Sequence, residues 1–313
     1  MLHALIAPTT FAGPRFEKPP KPYPCADATA CARPGHDPSA LQRTQQGYYV
    51  TLVTGSGAGE AFGMKYLDRK NYSAGWHQGD DSFLVPQWLL SLEPWKSRGC
   101  KPACPFWAPD LPSNHLGASD ELTMYYSVPP LDGGRDSGCI GRATGTFHPP
   151  VDERAAFIDW KDAGAPVLCS NHSLEVVGGP HNIDPSVMRD GEGRLWLTYG
   201  SWSSTGRKGG GVWMVELDNA TGMLGTAVRP RSAIVASSTL SLTALTPRPT
   251  PQARKQCGTA FPYCWSATNP TFRNVANNPQ RGGDYADTNA VEASYAYYHP
   301  GLRKYFLFVN WFW

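Results

Sequence analysis

The sequence predicts an all-β fold, a β-propeller of four-stranded antiparallel blades, and three observations carry that prediction. One short motif, an acid beside a turn-prone dipeptide followed by a hairpin, recurs four times. The segments around it alternate apolar and polar residues between Gly, Pro and Asn turns. No stretch sustains a helical period for long. Strand-rich units repeated at near-constant spacing pack as a radial array of small sheets, the innermost strand of each running beside a central axis. An acid placed at the same point of each unit then converges on one end of that axis.

The clearest copy lies between His181 and Trp202. Asp184-Pro185-Ser186 opens a strand there, and Pro185 is expected to hold Asp184 in an extended conformation. Val187 and Met188 continue the strand, Asp190-Gly191-Glu192-Gly193 supplies hairpin turn chemistry, and Leu195, Leu197 and Tyr199 alternate with Trp196 and Thr198 on the return. The first copy starts at Asp37-Pro38-Ser39, turns at Gln46-Gly47 and returns through Tyr48 to Gly55. The second starts at Trp107-Ala108-Pro109-Asp110 and returns from Leu122 to Val128. The fourth starts at Glu292-Ala293-Ser294, turns at Pro300-Gly301 and returns from Tyr305 to Asn310. Asp37, Asp110, Asp184 and Glu292 are separated by 73, 74 and 108 residues, a near-equal period with one unit stretched.

Taken in order, residues 1–34 form a Pro-rich arm, a weak leader at best because its first dozen residues carry no basic segment. Residues 35–313 form the propeller domain. After the first hairpin, Trp76, Trp88 and Trp95 fit the outer strands of blade one. Cys139 to Ala143 continues blade two, and Asp159-Trp160-Lys161 with Pro166-Val167-Leu168 reads as its outer edge. Blade three closes through Gly209-Gly210-Gly211 into Val212 to Leu217. Between 226 and 288 the composition turns to Pro, Ser, Thr, Arg and Asn, which reads as the end of blade three plus an inserted loop. The chain ends on the apolar run Tyr305 to Trp313, so a propeller truncated in its fourth blade is expected.

Bulk properties narrow the partners. A formal charge of +2 with 17% charged residues gives no electrostatic case for nucleic acid or an anionic membrane. No apolar run is long enough to span a bilayer. The 11 Trp and 14 Tyr suit stacking on sugar faces, although most of these rings are expected to be ordinary blade packing. Eight cysteines, with Cys25/Cys31, Cys100/Cys104 and Cys257/Cys264 spaced as short-loop disulfides, and sequons at Asn71, Asn171 and Asn219 point to an extracellular protein. No CxxC or HExxH is present.

Asp37, Asp184 and Glu292 stand at matching points of their repeats in similar local context. Glycosidic-bond hydrolysis requires two carboxyl groups across the scissile bond, one to protonate the leaving oxygen and one to activate water. A third acid nearby keeps the donor protonated by like-charge repulsion.

His36-Asp37-Pro38-Ser39, Asn182-Ile183-Asp184-Pro185-Ser186, Gly200-Ser201-Trp202 and Val291-Glu292-Ala293-Ser294-Tyr295 resemble the motifs of glycoside hydrolase family 43. Phe106 to Asp110 and Tyr125 to Val128 resemble the second blade of its arabinanase branch. The resemblance implies a five-bladed propeller that inverts the anomeric centre, with Asp37 as general base, Asp184 as pKa modulator and orienter, and Glu292 as general acid. It further implies endo-acting cleavage of α-1,5-linked arabinan by a monomer with no organic cofactor, its partner a plant cell-wall polysaccharide, arabinan or arabinoxylan. Trp107, Asp110, Asn182, Ser201 and Trp202 are the expected substrate contacts. In the family a histidine beyond the last strand present here is linked to a bound calcium ion, so a structural calcium is an open expectation. A β-xylosidase or arabinofuranosidase on the same fold and a non-catalytic glycan-binding propeller are the alternatives.

Overall fold

The computed structural model of the chain describes residues 36–55, 62–68, 75–80, 83, 85–91, 106–112, 118–128, 138–169, 182–200, 211–224, 272–277 and 291–311. Blade one contains β1 (Gln42–Arg43), β2 (Tyr49–Thr54), β3 (Phe62–Leu67) and β4 (Trp76–Gln78), hydrogen-bonded in that order. Blade two contains β5 (Trp107–Asp110), β6 (Glu121–Val128), β7 (Cys139–His148) and β8 (Phe157–Asp162), with the short β9 (Leu168–Cys169) added on β7. Blade three contains β10 (Ile183–Arg189), β11 (Leu195–Gly200), β12 (Gly211–Leu217) and β13 (Phe272–Asn277). A fourth sheet holds β14 (Val291–His299) and β15 (Lys304–Trp311). Every pair of named strands is antiparallel and, β9 apart, strands that follow one another within a sheet are neighbours in it, so the described chain is a partial β-propeller of three meander blades and a two-stranded fourth.

Apolar side chains meet in the seams between blades. Phe62, Phe83, Phe106 and Tyr126 form an aromatic cluster between blades one and two, Phe62 stacked on Phe106 and the other pairs edge-to-face, with centroids 5.0 Å apart for Phe83 and Tyr126 and 5.4 Å for Phe106 and Tyr126. A second cluster, including Tyr125, Val187, Leu197, Tyr199 and Trp213, fills the seam between blades two and three. Period-two alternation sets these faces: Phe106 is buried while its neighbour Trp107 is exposed.

The blade-three hairpin follows the expected turn. Asp190 accepts the Glu192 and Arg194 amides on Oδ1, both at 2.9 Å, and Arg194 Nε (2.7 Å) and Trp196 Nε1 (2.9 Å) on Oδ2. Burial works to raise its carboxyl, but these donors together hold it below the usual carboxylate range. Gly191 lets the outer end of the Tyr298 ring of β14 approach its backbone closely, where a Cβ would displace that ring.

Three expectations change. Trp88 belongs to a short helix, α1 (Gln87–Leu90), and not to an outer strand; its Nε1 reaches Asp162 on blade two at 3.0 Å. The fourth strand of blade three, β13, lies inside the 226–288 stretch and pairs with β12, so long intervening chain separates two strands of one blade. Cys139 and Cys169, which the short-spacing argument left aside, form a disulfide across directly paired residues of β7 and β9. The other six cysteines, the Asn71 and Asn171 sequons and Trp95 lie outside the described residues.

Candidate active site

Each of the four inner strands carries one bulge at the same register. His36 pairs with Thr54, and the Ser39 amide then bonds Leu52 O at 2.8 Å, so Asp37 and Pro38 oppose Val53 alone. Trp107 pairs with Ser127 and Asp110 with Tyr125, leaving Ala108 and Pro109 opposite Tyr126. Ile183 pairs with Gly200 and Ser186 with Thr198, leaving Asp184 and Pro185 opposite Tyr199. Glu292 pairs with Asn310 and Tyr295 with Phe308, leaving Ala293 and Ser294 opposite Val309. An extra residue on one strand re-aims the backbone, and such bulges concentrate at rims and functional sites.

The first bulge residue is left-handed in every blade, with φ of 48° at Asp37, 43° at Ala108, 53° at Asp184 and 51° at Ala293. That corrects the expectation that Pro185 keeps Asp184 extended. Each left-handed non-glycine residue costs about 1–2 kcal/mol, which the surrounding ladder must offset. Proline suits the second bulge position in three blades because no ladder partner there needs an N–H.

The matched placement of the acids holds for Asp37 and Asp184 and is corrected for Asp110, which stands just after the bulge of its blade, and for Glu292, which stands just before its own. Asp37 and Asp184 are equivalent, both first in their bulges. Glu292 stands one residue earlier, at the register position held by His36, Trp107 and Ile183, because Ala293 is the bulge residue of its blade.

The bulges are stapled to one another across the seams. The Ala108 amide donates to Thr54 Oγ1 at 2.9 Å, and the Asp184 amide donates to Ser127 Oγ at 2.8 Å. Thr54 and Ser127 occupy equivalent positions, each paired with the residue before its own bulge. In blade three that position is Gly200, which has no hydroxyl. There the Ala293 amide donates directly to the carboxylate of Asp184, Oδ2, at 2.9 Å. Covalent geometry then puts the Glu292 Cα within about 6 Å of that carboxylate oxygen. Asp37 differs: it is exposed, and Thr54 Oγ1 donates to its Oδ2 at 2.7 Å.

A second staple lies three residues deeper in the seam between blades two and three. Val187 N donates to Asp110 Oδ2 at 2.7 Å. The equivalent bond at the next seam runs from Ala296 N to Ser186 Oγ at 3.5 Å. Asp110 is 4% exposed, as is Asn182, so these two sit within the protein and present little side chain to solvent. Trp107, by contrast, is 39% exposed beside the bulge. Ser201, Trp202 and His181 lie outside the described residues.

Burial raises the Asp110 carboxyl to about 7 against the lowering effect of the Val187 amide. A folded-state value above the unfolded 3.8 means the native state holds the proton more tightly, so this contribution is complete below pH 3.8 and is lost as pH rises through 7. The difference amounts to about 4 kcal/mol. Asp110→Asn, which keeps an acceptor for Val187 N and cannot ionise, is expected to lack this loss. Urea denaturation at about pH 4.5 and pH 8 checks it: the variant should gain on the wild type at the higher pH.

Among the described residues no three or more His, Cys, Asp or Glu side chains stand together as a metal-binding group.

No family model matches the chain. Over 44 residues it is 43% identical to the extracellular endo-α-(1→5)-L-arabinanase of Thermotoga petrophila, a match covering 14% of this chain and 8% of that protein. Among solved structures it is similar to an exo-1,5-α-L-arabinanase from a bovine ruminal metagenomic library, with TM-score 0.48 and 23% identity over 88% of this chain and 65% of the other. It is also similar to the Cellvibrio cellulosa α-L-arabinanase complexed with arabinohexaose, with TM-score 0.42 and 18% identity over 61% of this chain and 50% of the other. The chain thus spans less than two thirds of each of these relatives. All three of those proteins are arabinanases.

Proposed function

We propose that this chain is a secreted glycoside hydrolase that cleaves α-1,5-linked arabinan internally, by one displacement with inversion. Glu292 protonates the glycosidic oxygen as the bond to the anomeric carbon breaks. Asp37, open to solvent, takes a proton from the water that attacks that carbon from the opposite face. Asp184 holds the peptide after Glu292 and adds negative charge beside the acid, and exposed Trp107 offers a stacking face to a sugar. The observation that carries the reading is the 2.9 Å bond from the Ala293 amide to Asp184 Oδ2. It brings the Glu292 backbone beside one of two aspartates that occupy equivalent bulges.

The polysaccharide substrate class follows from the same assignment, and the monomeric state is part of the proposal. The Cys139–Cys169 disulfide fits an oxidising, extracellular setting. No step of the proposed reaction runs through a metal or organic cofactor.

Product analysis on debranched linear arabinan tests the reading. Arabino-oligosaccharides of several lengths are expected, and proton NMR of the earliest products should show the inverted anomer. Binding of oligosaccharide without release of reducing ends would favour a glycan-binding propeller. Turnover of xylobiose with none of arabinan would favour a β-xylosidase.

A further inference from the structure

We propose that Thr54 is the positioning residue for Asp37, an inference that rests on the reading of Asp37 as the base. A threonine hydroxyl has one hydrogen to give and lone pairs to receive. The Ala108 amide, fixed in the left-handed bulge of blade two, donates to Thr54 Oγ1 at 2.9 Å. With a lone pair committed there, the hydroxyl hydrogen is turned to Asp37 Oδ2 at 2.7 Å, in the range of a charge-assisted bond. Thr54 is itself clamped between His36 and Phe62 by strand pairing. The carboxylate of blade one is therefore aimed by the backbone of blade two, through a single hydroxyl.

The other seams show why this arrangement belongs to blade one. Ser127 makes the same acceptor contact, to the Asp184 amide, but the bulge residue of its own blade is Ala108, which has no carboxylate to receive its hydrogen. Gly200 offers no hydroxyl, and Asp184 takes the Ala293 amide on its own carboxylate. Two aspartates at one register position are thus held differently. Asp184 lies in a seam as an acceptor for backbone, whereas Asp37 stands one hydroxyl outward, oriented and still open to water. A base that must activate a solvent molecule requires both properties.

The test compares Thr54→Val, Thr54→Ala and Thr54→Ser with Asp37→Asn on linear α-1,5-arabinan. Val and Ala are expected to lower kcat about 10- to 100-fold, with KM within about twofold, because orientation and not substrate binding is lost. Ser keeps the hydroxyl and should stay within about threefold of wild-type kcat. A serine variant more than about tenfold slower, a loss confined to KM, or wild-type kcat in folded Val or Ala variants would each overturn the proposal. Circular dichroism establishes folding, and the serine comparison decides the matter even if Val and Ala do not fold. Asp37→Asn separates this inference from its premise. An active Asp37→Asn ends the assignment of the base, whereas an inactive one beside a fully active Thr54→Val ends only the role of Thr54.

Discussion

Glu292→Gln is expected to lower kcat on linear α-1,5-arabinan by about 10²- to 10⁴-fold, the usual contribution of general acid–base groups. Glutamine keeps the size of the side chain and cannot deliver a proton. The backbone that positions residue 292 is untouched, since its ladder pairing with Asn310 and the Ala293–Asp184 bond involve main chain on its side. Oligosaccharide binding, measured by titration calorimetry, should therefore stay within about threefold of the wild type. A nitrophenyl glycoside of an α-1,5-arabino-oligosaccharide, long enough for an internally cleaving enzyme, adds a second readout, because nitrophenolate leaves with little protonation. The variant should lose far less on that substrate than on arabinan if Glu292 is the acid. Near wild-type turnover of arabinan would remove Glu292 from the role.

The fold was legible where strand and turn chemistry is local. The Asp190 to Gly193 turn, the Pro300-Gly301 turn and the paired strands of each hairpin follow from alternation and turn residues, and the four-fold recurrence points to blades. β13 was hidden because Phe272–Asn277 is short and polar and sits in a stretch whose composition resembles a loop. The Cys139–Cys169 disulfide closes 30 residues of separation, which no short-spacing argument detects.

In the candidate site the acids stood out as residue types, whereas the register that holds them did not. Matching acid to acid aligned Glu292 with Asp184, whereas the backbone aligns Ala293 with Asp184 through their shared left-handed bulge. The preference of pre-proline residues for extended backbone argued against that bulge, and ladder register overrode it. Thr54 and Ser127 were missed because a single hydroxyl at a strand end carries little signal alone. A usable one existed: the residue at the end of the second strand in register with the one before the bulge is Thr54, Ser127 and Gly200 in the three blades, and the glycine marks the seam where the carboxylate bonds backbone directly.

Gly200 also sets the outcome expected for Asp184. In the first two seams a hydroxyl receives the next blade's amide, but in the third the carboxylate is the acceptor seen for Ala293 N. Asp184→Ala removes that acceptor with no hydroxyl at position 200 to replace it. A half-buried amide left without its partner costs about 1–3 kcal/mol, and the peptide after Glu292 is free to shift. Stability should fall by that amount in urea denaturation, and kcat on arabinan by about 10²- to 10³-fold. Asp184→Asn divides the two effects. Its amide oxygen can still accept from Ala293 N, so stability should return to within about 1 kcal/mol of the wild type. The negative charge beside Glu292 is gone, so activity should recover only in part, and the pH above which the acid fails should fall, because like charge no longer opposes its ionisation. If Asp184→Asn matched the wild type in both rate and pH profile, charge would have no part in the role of Asp184, and its contribution would be the staple alone.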